Sequence, residues 1–122
     1  MVIKESKLAW IVVSDLAKAR KFFTETLGMK ETSYDEGFGW IELTGRDGGS
    51  TLGVAKNSSY SPLSPGQNAV VTFTVEDLEK TKQEFIEKGV ELVGEVQEVP
   101  DHVKMQLFRD PDGNYFQIVE ML

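Results

Sequence analysis

Residues 8–29, LAWIVVSDLAKARKFFTETLGM, and residues 70–90, VVTFTVEDLEKTKQEFIEKGV, carry the same signals in the same order. Each opens on a strand-like run, passes an Asp-Leu pair (Asp15-Leu16, Asp77-Leu78) and continues as a helical pattern that stops at a glycine, Gly28 or Gly89. In the first copy Leu16, Ala19, Phe23 and Leu27 fall on one face of a 3.6-residue period. Ser14 or Asp15 stands where an N-cap belongs, and Gly28 where a left-handed residue ends a helix. Leu78, Thr81 and Phe85 repeat the pattern before Gly89. A helix with one apolar face needs a surface to bury it, so each is expected to lie on a sheet.

Beyond each helix two more strand-like stretches lead into a glycine turn, GRDGG at 45–49 or RDPDG at 109–113, followed by STLGVA or NYFQIV. The offset between the copies drifts from 62 to 64 residues, which two small indels explain. Between them NSSYSPLSPGQN, residues 57–68, reads as a connecting loop rich in serine and proline. The chain is therefore predicted to be a single α+β domain, 1–122, of two tandem βαβββ modules with curled mixed sheets. Module one covers about 5–56 and module two about 69–122.

Strand alternation divides the residues between two sheet faces. Ile11 and Val13, Ile41 and Leu43, and Leu52 and Val54 form an aliphatic set expected to face the first helix. Val71, Phe73 and Val75, Met105 and Leu107, and Phe116 and Ile118 are its expected counterpart in module two. The opposite face then holds Leu8, Trp10, Val12, Trp40, Glu42, Thr51 and Gly53, and in module two Val70, Thr72, Thr74, Lys104, Gln106, Tyr115, Gln117 and Val119. Two tryptophans are rarely spent on bulk water, and Glu42, Lys104, Gln106 and Gln117 are rarely sent to a dry core. A ligand pocket satisfies both facts; a subunit interface would absorb the tryptophans equally well.

Composition narrows the chemistry. A chain of 122 residues buries roughly two thirds of its unfolded surface and needs no staples. With no cysteine and a single histidine, His102, disulfides, thiolate chemistry and multi-histidine metal sites within one chain are excluded. A net charge of −7 argues against nucleic acid and anionic membranes as partners. No apolar run approaches the ~20 residues that span a bilayer. Met1 is followed by a strand-like segment without a basic-then-apolar leader, so the expected location is the cytoplasm.

The duplicated module, with VVSDLAKARKFFTETLGM at 12–29 and LFRDPDGNYFQIVE at 107–120, resembles the vicinal oxygen chelate superfamily of glyoxalase I, bleomycin and fosfomycin resistance proteins, and extradiol dioxygenases. The resemblance covers essentially the whole chain. It implies metal ligands from the first and last strand of each module, at positions that correspond to Leu8, Gly53, Val70 and Gln117. Three of these side chains have no donor atom and the fourth is a neutral amide, so no metal and no cofactor are expected there. The resemblance also implies pockets where modules meet, hence a homodimer.

Two functions follow. The first is a metal-free protein that binds a small aromatic or cationic molecule through Trp10, Trp40, Glu42, Thr72, Lys104, Gln106, Tyr115 and Gln117. Here Trp40 is placed opposite Lys104 across the repeat and Glu42 opposite Gln106, with Glu42 expected to contact Lys104, a backbone donor or the ligand's cationic group. The alternative is a glyoxalase-like or dioxygenase-like enzyme, a lyase or isomerase, that uses an atypical metal site or Glu42 as general acid/base. Asp101-His102, after Pro100, reads as a solvated hairpin.

Overall fold

A computed structural model describes residues 4, 6–59 and 63–122. The start of module one at residue 5 and the centre of the 57–68 connection therefore lie outside the described residues. The chain divides into two compact units, 1–68 and 69–122.

Unit one contains β1 (Leu8–Val13), α1 (Leu16–Lys21) continued by a π-helical turn (Phe22–Thr26), β2 (Lys30–Asp35), β3 (Trp40–Gly45) and β4 (Gly48–Lys56). Its sheet has the order β1-β4-β3-β2, with β1 parallel to β4 and the other pairs antiparallel. Unit two repeats the plan with β5 (Val71–Thr74), α2 (Leu78–Glu87), β6 (Glu91–Val99), β7 (Val103–Arg109) and β8 (Tyr115–Met121), in the order β5-β8-β7-β6. The chain is thus α+β, two four-stranded mixed sheets with one helix each.

The caps explain where the helices begin. Asp15 and Asp77 are extended, and each carboxylate accepts the backbone N–H three residues on, Lys18 and Lys80, at 3.0 Å. Asp15 rather than Ser14 is the cap. Helix α2 has a further anchor, because Glu120 Oε1 on β8 accepts the Leu78 N–H at 2.7 Å. Helix α1 departs from the regular period predicted through Leu27. The Leu27 N–H donates to Phe22 O, five residues back, and the Thr24 hydroxyl donates to Arg20 O at 2.7 Å. A threonine bonded to the preceding turn opens the helix locally, and the wider turn still buries Phe23.

Each helix covers one face of its sheet. Ile11, Ile41, Leu43, Leu52 and Val54 are buried with Phe23 in unit one. In unit two Phe108 and Phe116 stack at 5.6 Å, Phe73 lies on Phe116 at 5.5 Å, and Phe85 of α2 meets Phe108 edge-on at 5.0 Å. One expectation fails here. Met105 and Leu107 are not on the helix side; Gln106 and Phe108 are, opposite Ile118 and Phe116.

The cause is hairpin length. Leu43 pairs with Leu52, nine residues on, whereas Phe108 pairs with Phe116, eight on. Aligning the two modules at their last strands therefore misplaces β7 by one residue, which exchanges its faces.

Candidate functional site

The open face of unit one is built across three strands. Trp10 on β1 and Glu42 on β3 both pair with Gly53 on β4, and Trp40 lies two residues from Glu42 on the same face. A Cβ built on Gly53 would fall 2.5 Å from Cζ2 of Trp40 and 3.1 Å from Cβ of Trp10. The six-membered ring of Trp40 thus occupies the space above Gly53, between Glu42 and Trp10. The two indoles meet with centroids 6.2 Å apart and planes inclined at 54°. Trp10 remains 42% exposed. Glu42 is partly exposed, and among the described residues its carboxylate has no hydrogen-bond donor or cation as partner.

The open face of unit two holds Thr72, Gln117, Leu107 and Val93 in one row across β5, β8, β7 and β6. The Thr72 hydroxyl donates to Gln117 Oε1 at 3.3 Å. Beside them a cleft of about 390 Å3 is lined by Val70, Met105, Leu107 and Gln117 and by Val93, Gly94, Glu95 and Gln97 of β6. Tyr115 lies at the end of the same face under the Arg109 guanidinium, 5.4 Å from its ring centroid, while Arg109 also bonds Glu91 at 2.6 Å.

Two expected site residues are elsewhere. Gln106 is buried on the helix side, where its Nε2 donates to Val93 O and Gly94 O at 3.1 Å and to Leu107 O at 2.9 Å. It supports the cleft from behind, at the register shift between Val93 and Gln97. Lys104 has the same parity, pairs with Glu120 across β8, and has its Nζ 4.0 Å from Glu98. Its ion-pair partner is Glu98 in place of the expected Glu42. Met105 and Leu107 take the places assigned to Lys104 and Gln106, so the structural counterpart of Glu42 is Leu107. Phe108 carried the missing signal: the largest side chain of β7 shares parity with Gln106.

A larger depression of about 520 Å3 lies on the other side of unit one, between α1 and β2. Two of its charged groups, Arg20 and Glu31, satisfy each other. Arg20 makes a two-point bond to Glu31 at 2.6 and 2.9 Å and stacks 3.9 Å from the Tyr34 ring centroid. The Glu31 hydrogen bond raises the guanidinium pKa above its usual value.

The positions that the resemblance assigns to metal do not fit one. Leu8 and Val70 are exposed aliphatics, Gly53 lies under Trp40, and Gln117 is held by Thr72. No group of three or more His, Cys, Asp or Glu side chains suited to a metal ion occurs among the described residues. Neutral amide and hydrocarbon groups do not replace imidazole and carboxylate on zinc or iron.

Residues 7–118 match the model of the Glyoxalase/Bleomycin resistance protein/Dioxygenase superfamily. The uncharacterized protein YetH of Bacillus subtilis (strain 168) is 29% identical over 123 residues, covering 98% of this chain and 100% of the relative. Among solved structures, TnmS3, an antibiotic binding protein from Streptomyces sp. CB03234, superposes with a TM-score of 0.81 at 23% identity, covering 100% of this chain and 99% of that one. A superfamily member from Sphaerobacter thermophilus DSM 20745 gives 0.83 at 24% identity, covering 97% and 98%.

Proposed function

Because the chain belongs to the Glyoxalase/Bleomycin resistance protein/Dioxygenase superfamily, we propose that it is a metal-free binder of a small organic molecule, held on the open sheet faces. The ligand-contacting residues in this reading are Trp10, Trp40, Glu42, Thr72, Tyr115 and Gln117, joined by Met105 and Leu107. The observation that carries it is the position of Trp40 over Gly53: where the resemblance implies a metal ligand, this chain has an aromatic surface. Likeness in fold to an antibiotic binding protein supports a ligand of small-molecule size. The same reading takes the protein as a cytoplasmic homodimer, since Leu8, Val70 and Met121 leave apolar surface exposed that a second copy would cover.

A thermal-shift screen of aromatic and cationic small molecules tests the function, because a binder raises apparent stability by mass action. Replacing Trp10 or Trp40 by alanine is expected to weaken an identified ligand by about 2–4 kcal/mol, as for buried aromatic anchors. Stoichiometric divalent metal in the purified protein, with turnover in a glyoxalase or dioxygenase assay, would overturn the reading.

A further inference from the structure

We infer that the open face of unit one selects an organic cation, an ammonium or guanidinium group bound on the outward surface of Trp40 between Trp10 and Glu42. This rests on the reading of the open faces as ligand-binding and adds the charge of the ligand and the residue that selects it.

The geometry comes from the register. Trp10, Gly53 and Glu42 stand side by side on three neighbouring strands, so at 4.7–4.9 Å between strands the Trp10 and Glu42 backbones are about 10 Å apart. Gly53 contributes nothing to that gap, and the Trp40 ring fills its floor. An indole face carries negative potential and attracts cations, most strongly where water is thinned. Trp10, inclined at 54° to Trp40, supplies a second aromatic wall, and the Glu42 carboxylate supplies the formal charge.

Glu42 is available for this task. A half-buried carboxylate ordinarily has a partner, yet among the described residues this one has none. Its cross-strand neighbour Ser33 is neutral, and Asp35, across from Trp40, is engaged with the Phe38 N–H at 3.0 Å. Lys30, the basic residue of β2, pairs in register with Thr44, and no ion pair joins it to Glu42. Two indoles and an acid thus face one space, and among the described residues no cation of the chain is paired with that acid.

The test titrates the intact protein with benzyltrimethylammonium and with its neutral near-isostere 2-methyl-1-phenyl-2-propanol, following the indole N–H resonances of Trp10 and Trp40. The cation is expected to bind about tenfold tighter and to shift both indoles. Glu42→Gln should cut that preference to the smaller part the indoles supply. Glu36→Gln, which removes an equal charge from the exposed β2–β3 turn, should keep it; circular dichroism confirms that each variant is folded. Equal affinities in the native protein, a preference undiminished in Glu42→Gln, or no shift of either indole would overturn the inference. If the neutral probe moves both indoles and the cation gains nothing, open-face binding stands and charge selection falls.

Discussion

A methyl group at residue 53 would meet the Trp40 ring within 2.5 Å, and that ring in turn packs against Trp10. Gly53→Ala is therefore expected to cost about 1–3 kcal/mol by overpacking. Urea denaturation measures the loss, and near-UV circular dichroism should report separation of the two indoles. Asp110 shows a different economy. Its Oδ1 accepts the N–H groups of Asp112 and Asn114 at 3.0 and 2.8 Å, and its Oδ2 accepts Asn114 Nδ2 at 2.9 Å. Burial pushes its pKa above the usual carboxylate range, and the Asn114 hydrogen bonds oppose the shift without cancelling it. The folded state then holds the proton more tightly than the unfolded chain. Its contribution to stability is full below the unfolded-state pKa and is lost as pH rises through the folded-state pKa. Asp110→Asn should remove this pH dependence and, by turning one amide against the Asn114 amide, lower stability by about 1–3 kcal/mol; denaturation curves at several pH values would show both effects.

At the level of elements, β6 depends on a side chain from its neighbour. Gly94 has φ of +70° within the register shift, and Gln106 donates to the carbonyls of Val93 and Gly94 there. Gln106→Met keeps the volume and loses the donors, so a cost of about 1–3 kcal/mol and faster amide exchange at residues 94–97 are expected. Gln106→Glu should be worse than Gln106→Met, since it turns a buried carboxylate toward carbonyl oxygens. Because those β6 residues line the cleft of unit two, either variant should also weaken a ligand bound there.

At the scale of the whole molecule, charge is unevenly shared. Residues 1–68 contain as many acidic as basic side chains, so the net charge of −7 resides in residues 69–122. Long-range attraction of cations is therefore a property of unit two, while on unit one Glu42 supplies the formal charge beside the two indoles. Salt should accordingly slow cation association more than it weakens the bound state. For the proposed dimer, sedimentation at micromolar concentration is expected to give twice the 13.7 kDa chain mass; a single species at 13.7 kDa would exclude it.

The sequence alone determined the two modules, their order of elements, a cap at Ser14 or Asp15, and the buried faces of β1, β3, β4 and β8. These follow from periods of 3.6 and 2 and from capping chemistry, which act between residues close in the chain. On β7 alternation put Met105 and Leu107 on the helix side, the wrong phase, because KMQLF offers apolar side chains to both faces. Pairing with β8 through a hairpin one residue shorter than its counterpart chose between them, and stacking of Phe108 with Phe116 and Phe85 holds that choice. The contact of Trp40 with Gly53 was equally beyond local reading. It joins residues on different strands, and only the register of β3 against β4 decides which glycine an indole covers.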